Sequence, residues 1–325
     1  MKKKFGILMA AIIFILAAFS GCGDSSSVSG SKNIKIMLAL SEPDTFRLSL
    51  VEAAQAEASK EGIQLDVMDA EGSIENQVAS LKSAEADGYN AIICCPVSTD
   101  TVVELKASAG NLPIVFVNNL PDSKHLTAGK YIYVGSDESV AGQYQAEYLL
   151  DTFSGKDELN VAILKGPKNH SATLGRTKGA KRTLEASGKT INYIFDDYAN
   201  WETDRAAEMF QIFLNTGKTP DCVICNNDAM ALGIIETCKK ENIDLSSLPI
   251  LGIDATDDGC EAIENGDMAF TVYQSAKGQG EAAVQAAMRL AKGNSIADME
   301  GATDDEKYVW VPFEKVDKNN VSDYH

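Results

Sequence analysis

Residues 222–233 read CVICNNDAMALG, and this stretch decides the fold. Its first four residues form an apolar run of strand length. Asn226, Asn227 and Asp228 follow, and a helical pattern then continues to Glu241. An apolar strand that passes through polar residues into a helix is the repeating unit of a parallel sheet with helices on both faces. The stretch therefore predicts an α/β fold with polar side chains at the carboxyl end of a strand.

The same unit recurs on both sides of this stretch, in two series of similar spacing. Strands are predicted at Ile34–Leu40, Ile63–Asp69, Ala91–Cys95, Pro113–Val117 and Tyr131–Val134, then at Val161–Leu164, Ile191–Phe195, Cys222–Cys225, Ile250–Ile253 and Ala269–Val272. Helices are predicted at Phe46–Glu61, Ile74–Ala86, Thr173–Ala186, Thr203–Asn215, Ala229–Glu241 and Gly278–Ala291. Two such series indicate two doubly wound parallel-sheet lobes of one design.

The chain is expected to cross between the lobes near Val134–Gly135, Thr271–Gln274 and Gly293–Ile296, and several crossings make a hinge. The predicted division is a signal peptide at 1–21, a lipidated cysteine and flexible tether at 22–32, an N-terminal lobe from 33–134 with 275–293, and a C-terminal lobe from 135–274 with 294–325.

The first residues predict export. Lys2, Lys3 and Lys4 precede an almost unbroken apolar run, Phe5–Phe19, which has the length of a signal-peptide core and is short for a membrane span. Ser20-Gly21-Cys22 then resembles a bacterial lipobox, which implies lipidation of Cys22 and an anchored, extracytoplasmic protein. Phe19 stands where leucine is usual, and an ordinary cleaved signal is the alternative.

Charge and cysteine content exclude several classes of protein. The formal charge of −18 becomes −21 once residues 1–21 are removed, and so acidic a chain repels nucleic acid. The cysteines beyond Cys22 lie in apolar runs and are predicted to be buried. A disulfide between two of them is an alternative that the sequence leaves open. Cys222-x-x-Cys225 lies within a strand, where residues three apart point to opposite faces, so a metal or redox pair is disfavoured.

In open α/β sheets, ligands bind beyond the carboxyl ends of the strands. The residues there are rich in amides and acids, with single aromatics and one well-placed cation, and this mixture suits the hydroxyls and apolar C–H faces of a sugar. The candidate ligand-binding residues are Asp44, Phe46, Asn118, Asn119, His170, Arg176, Trp201, Asn227, Asp254 and Gln274.

Structural alternatives exist for several of these positions. Asp228 is read as a helix N-cap rather than a ligand contact, and Asp254 could also cap a helix. Phe46 could be a hydrophobic staple, Asn118 a turn residue, and Arg176 a partner of a surface acid.

Several segments together resemble the bacterial periplasmic sugar-binding family, in its galactose/glucose- and ribose-binding branch. These segments are LPIVFVNN (112–119), LKGPKNHSATLGRTKGAKRTLE (164–185), VICNNDAMALG (223–233), LGIDATDDG (251–259) and FTVYQ (270–274). The resemblance implies that nine of the ten candidates, all except Asn119, contact the ligand, with Phe46 and Trp201 stacking on the ring from opposite lobes.

Two departures from that branch bear on the ligand. Ala172 replaces an acid that lies between the histidine and the arginine, so one hydroxyl contact is missing or is supplied by Arg47, Asn119 or Asn169. The calcium loop of the branch is not visible around Thr152–Leu159, so no bound calcium and no other cofactor are expected.

The predicted function is a monomeric solute receptor. It would capture a monosaccharide, galactose or glucose first and a pentose second, and deliver it to the permease of an ATP-driven importer. The alternative is a sensor that presents a sugar or furanose signal to a chemoreceptor or kinase. An enzyme is not expected, since no nucleophile–base arrangement, phosphate loop or metal cluster appears in the sequence.

Overall fold

Alternating strands and helices build two parallel sheets in the computed structural model, which describes residues 34–324. The strands of the first sheet, in spatial order, are Tyr308–Trp310 (β11), Tyr131–Gly135 (β5), Ile114–Val117 (β4), Ala91–Cys94 (β3), Lys35–Leu40 (β1) and Gln64–Asp69 (β2). Those of the second are Thr190–Tyr198 (β7), Glu158–Lys165 (β6), Cys222–Cys225 (β8) and Ile250–Leu251 (β9). Every pairing in both sheets is parallel, which confirms the predicted fold class.

A short antiparallel pair lies beside the second sheet. It joins Thr271–Gln274 (β10) to Phe313–Val316 (β12). Single bridges, Leu251 to Phe270 and Asp254 to Tyr273, connect β10 to the end of β9.

Helices cover both faces of each sheet. They are Thr45–Lys60 (α1), Ile74–Ala84 (α2), Val102–Ser108 (α3), Glu138–Thr152 (α4), Ser171–Ala186 (α5), Thr203–Leu214 (α6), Asp228–Lys240 (α7), Asp257–Glu264 (α8) and Ala276–Ala291 (α9). Within the described residues, no helix is long and apolar enough to span a membrane.

Strand alternation divides the core of the first sheet into two layers. Ile36 and Leu38 of β1 face the layer that α1 and α9 complete, whereas Met37 and Ala39 face the layer that α2 and α3 complete. Neighbouring strand residues point to opposite faces, so a strand buried on both sides must be apolar at every position. This is why the solid apolar runs predict the strands of the first sheet to within one residue.

The third crossing between the lobes differs from the prediction. The sequence-based division places 294–325 in the C-terminal lobe and the crossing near Gly293–Ile296. However, Ile296 is fully buried in the first core, and β11 pairs with β5. The chain leaves the first sheet only after β11, and it reaches β12 through Val311 and Pro312.

The cysteines of the described residues are free thiols, and all of them are buried. Burial raises the pKa of the Cys222 and Cys225 thiols. These two residues lie on β8 as small core side chains, as the sequence predicts.

Glycines let helices α4 and α5 pack at unusually short range. A Cβ added to Gly142 would overlap the carbonyl oxygen of Arg176, and one added to Gly179 would overlap that of Ser139. Side-chain-free positions on both helices therefore bring the start of α4 against the backbone of α5.

We expect Gly142→Ala to lower the free energy of unfolding by about 1–3 kcal/mol, because the new methyl group must displace the α5 backbone. Urea denaturation measures the change. Gly155→Ala is the matched control, since a Cβ at Gly155 meets no atom within 4 Å. Equal stability of the two variants would contradict the close packing.

Candidate functional site

A cleft of about 770 Å³ lies between the carboxyl ends of the two sheets. Side chains from both lobes line it, and nine of the ten predicted residues are among them: Asp44, Phe46, Asn118, His170, Arg176, Trp201, Asn227, Asp254 and Gln274. The volume is typical of small-molecule sites. The structure thus brings together residues that lie up to 230 positions apart in the chain, while their contact with a ligand stays a prediction.

The first-lobe wall depends on the start of α1. Asp44 is the N-cap of this helix, and its carboxylate accepts a hydrogen bond from the Arg47 backbone N–H at 2.7 Å. Arg47 is buried, forms ion pairs with Asp44 at 3.3 Å and Glu42 at 3.6 Å, and donates from Nε to Asn118 Oδ1 at 3.3 Å. The Asn118 oxygen is thereby occupied, which leaves its NH₂ group as a donor for the cleft.

Arg176 is the central charge of the second-lobe wall and is 4% exposed. Its Nε donates to Glu138 at 2.6 Å, one terminal nitrogen donates to the Asn226 carbonyl at 2.7 Å, and the other donates to Gln274 Oε1 at 2.9 Å. Burial alone lowers the pKa of Arg176, but Glu138 and Asp254 outweigh burial and hold it above its ordinary value. The guanidinium is therefore a permanent cation.

Asp254 lies 3.6 Å from the Arg176 guanidinium, and within residues 34–324 its carboxylate accepts no hydrogen bond. Thr256 caps α8, so the alternative in which Asp254 is the cap is wrong. Burial raises the pKa of Asp254, Arg176 opposes that rise, and the nearby carboxylates Asp228 and Glu138 add to it. A carboxylate in this setting is an acceptor without a protein donor.

His170 presents a donor to the cleft. Its Nδ1 accepts a hydrogen bond from the Ala172 N–H at 3.2 Å, so the proton of the neutral ring is on Nε2. Nε2 is buried and has no partner among the described residues. Burial first, then the positive charges of Arg47 and Arg176, lower the pKa of His170 to about 3.

Trp201 takes its place through a strained turn. Asn200 and Trp201 both have positive φ, at 57° and 70°. A Cβ on Gly166 would overlap the indole ring, so the ring can occupy this position only because residue 166 is glycine. The ring meets His170 edge to face at 5.6 Å and lies 5.6 Å from the Arg176 guanidinium carbon.

Other cleft residues share this backbone strain. Asn118 has φ of 61°, Asp254 of 124° and Ala255 of 50°, all in a region that non-glycine residues rarely adopt. Such strain persists only where the surrounding structure enforces it, and it is concentrated at functional sites.

The helix cap predicted at Asp228 lies one residue earlier, at Asn227, which also lines the cleft. Asn227, and not Asp228, caps α7, because its side chain accepts from the Met230 N–H at 3.0 Å. Asp228 is fully buried and accepts from the Thr271 hydroxyl at 2.6 Å and the Thr256 N–H at 2.9 Å. Asp228 therefore holds the backbone behind Asp254.

Asn119 is the one predicted site residue outside the cleft lining. Its Oδ1 accepts from the Ser171 hydroxyl at 2.8 Å, and its Nδ2 donates to the Pro96 carbonyl at 3.3 Å. The Ser171 hydroxyl in turn accepts from the Leu120 N–H at 2.8 Å. Because Asn119 follows β4 of the first sheet and Ser171 begins α5, these bonds join the two lobes beside the cleft.

Sequence reasoning missed Glu138 and Tyr324. Glu138 is hidden behind Arg176, and an acid in the first turn of a helix has an ordinary explanation as a complement to the helix dipole. Tyr324 lines the cleft and contacts the Tyr273 ring at 5.1 Å. No local pattern near the carboxyl terminus indicates its position.

Comparison with known proteins yields consistent matches. A family model described as a periplasmic binding protein domain matches residues 35–295. A putative rhizopine-binding protein of Rhizobium meliloti is 32% identical over 267 residues, which cover 81% of this chain and 83% of that protein. A D-galactose/methyl-galactoside binding periplasmic protein of Haemophilus influenzae is 29% identical, over 94% of this chain and 96% of its own.

A solved structure matches as well. It is an ABC transporter solute binding protein from Bacillus halodurans with bound myo-inositol. The TM-score is 0.79 at 28% identity, and the match covers 91% of this chain and 98% of that one.

We expect His170→Asn to change how stability depends on pH. Below pH 6.5 the unfolded state of the native chain takes up a proton at His170, whereas the folded state, with a pKa of about 3, does not. The native chain should therefore lose unfolding free energy relative to the variant as pH falls from 6.5 towards 4. Urea denaturation of both ligand-free proteins from pH 8 to 4 measures this, and a constant difference would contradict it.

Proposed function

Since the chain belongs to the periplasmic binding protein domain family, in its galactose/glucose- and ribose-binding branch, we propose that it captures a monosaccharide between its lobes and delivers it to an ATP-driven importer. The protein is a solute-binding protein and not an enzyme. A hexose of the galactose or glucose type is the first candidate ligand, and a pentose is the second. The observation that carries the proposal is the convergence of unpartnered donors and acceptors from both lobes on one cleft.

The available groups suit a ring of hydroxyls. His170 Nε2 and Gln274 Nε2 are buried donors without partners in the described residues, and Asp254 is an acceptor without a protein donor. Leaving such groups unbonded is costly, and hydroxyls can satisfy both kinds. Phe46 and Trp201 reach the cleft from opposite lobes and supply apolar faces for the C–H surfaces of the ring.

The charge balance favours a neutral ligand over a sugar phosphate. Arg176 is paired with Glu138, and Arg47 is paired with Asp44 and Glu42. The two guanidiniums are thus already compensated, and burial together with the nearby Asp228 and Glu138 raises the pKa of the Asp254 carboxyl beside the ligand space, so this region does not favour further negative charge. An anionic ligand would meet this carboxylate without a free guanidinium to balance it.

The relatives support the same ligand class. One is named for binding D-galactose and methyl-galactoside, and the solved structure holds myo-inositol, which is also a polyhydroxylated ring. Ala172 lines the cleft where the galactose/glucose branch has an acid, so the selectivity among such rings has to be measured.

Titration calorimetry of the mature protein against D-galactose, D-glucose, D-xylose, D-ribose and myo-inositol tests the proposal, with glucose 6-phosphate as the charged comparison. We expect at least one neutral ring to bind with a dissociation constant of about 1 μM or below, which corresponds to about −8 kcal/mol. Absence of binding across the neutral panel, or preference for the phosphate, would overturn it.

We expect Asp254→Asn to weaken that binding by about 1.5–3 kcal/mol, because a charged acceptor for the ligand hydroxyls becomes a neutral amide. Calorimetry with the preferred sugar gives the value. Asp304→Asn, an exposed position outside the cleft lining, makes the same change in net charge and should leave affinity unaltered. Equal affinities of the two variants would remove Asp254 from the binding site.

We also propose that lipid on Cys22 anchors the exported protein to the cell membrane. This cysteine lies outside the described residues, and the lipobox-like sequence alone supports the proposal. We expect Cys22→Ser to release the protein from the membrane fraction, as fractionation and immunoblotting would show. Retention of the variant in that fraction would contradict lipid anchoring at Cys22.

A further inference from the structure

Glu138 is buried at the point where the chain enters the second lobe. It is the first residue of α4, directly after the crossing that follows β5, and it is 4% exposed. One carboxylate oxygen accepts the Arg176 Nε–H at 2.6 Å, while the other oxygen is buried without a partner. Glu138 itself does not line the cleft.

We propose that Glu138 is a positioning residue that holds the Arg176 guanidinium away from Asp254 and so keeps Asp254 free for the ligand. The inference rests on the proposed function, because it assigns Asp254 to a ligand. It adds a residue that lies behind the cleft and acts through Arg176.

The geometry of the guanidinium sets up a competition between two carboxylates. Glu138 lies at hydrogen-bonding distance from Arg176, whereas Asp254 is 3.6 Å away, beyond a normal hydrogen bond. A buried cation needs a negative partner, and breaking such a pair leaves an uncompensated charge. If Glu138 lost its charge, Asp254 would be the nearest carboxylate to take its place.

The contacts of Arg176 show which N–H groups remain for the ligand. A guanidinium has five N–H groups in a fixed fork. Three are used by Glu138, the Asn226 carbonyl and Gln274. With the plane fixed in this way, the other N–H groups and both Asp254 oxygens stay available.

Helix packing explains why Glu138 cannot turn away. A Cβ on Gly175 would lie 2.6 Å from the Glu138 Cβ, so the start of α4 sits directly on α5. Burying a carboxylate oxygen with no partner costs stability. Selection for stability alone would not favour a buried carboxylate oxygen without a partner, whereas a role in positioning Arg176 explains why Glu138 is there.

The test begins in the ligand-free protein, in a Trp310→Phe background that leaves Trp201 as the single tryptophan of the sequence. The Arg176 guanidinium lies over the Trp201 ring at 5.6 Å. We expect Glu138→Gln to shift the Trp201 emission, because the cation moves towards Asp254. Glu147→Gln is the control, since it removes an acid of the same helix that pairs with Lys315 outside the cleft.

The second readout is a double-mutant cycle with the sugar that binds best in calorimetry. We expect Glu138→Gln to weaken binding at least about tenfold, or about 1.4 kcal/mol. Asp254→Asn should then cost less in the Glu138→Gln background than in the native protein, because Asp254 is already engaged by Arg176. Should Glu138→Gln not fold, Glu138→Asp takes its place with the same expectations, because its shorter side chain draws the carboxylate back from the Arg176 Nε–H that it accepts at 2.6 Å in the native protein.

Unchanged Trp201 emission, or strictly additive losses in the cycle, would overturn the positioning role. If no sugar binds, the proposed function fails, but the emission of the ligand-free protein still reports whether Glu138 sets the position of Arg176.

Discussion

The second-lobe wall of the cleft depends on the pairing of the Arg176 guanidinium, a buried cation in a strongly acidic protein. A buried cation is tolerated only when its charge and its N–H groups are satisfied. Its partners come from separate elements: Glu138 from α4, Gln274 from β10 and the Asn226 carbonyl from the end of β8. The close approach of α4 and α5 at Gly142 and Gly175 makes this convergence possible.

The fold surrounds Arg176 with polar side chains from both lobes. In both sheets the parallel strands end at the cleft, so each loop that follows a strand delivers one or two polar side chains to the same space. Several of these residues, such as Asn118, Trp201 and Asp254, have strained backbones. Two others, Asn227 and His170, cap helices with one side-chain atom. Rigid elements thus hold the cleft residues in place.

Much of the fold could be predicted, because a strand buried on both faces is recognisable from its own residues. The predicted strands of the first sheet agree with the observed ones to within one residue at each end. The third lobe crossing could not be predicted, because β11 is short and partly exposed and only its pairing with β5 identifies its sheet. Position after a strand predicted that Asp254 and Trp201 lie at the cleft, whereas it could not separate Asn118, which lines the cleft, from Asn119, which joins the lobes.

By itself, the sequence determined the two doubly wound lobes, the family and the edge of the sheets where polar side chains gather, because each of these follows from local periodicity or a local motif. Tertiary structure alone decided which atoms remain free. Hydrogen-bond partners of a buried side chain come from distant segments. Glu138 accepts the Arg176 Nε–H, and Asp228 accepts from Thr271 and Thr256 behind the cleft. The bonding capacity left over after those pairings marks the candidate ligand site, and the neighbouring residues in the chain do not indicate it.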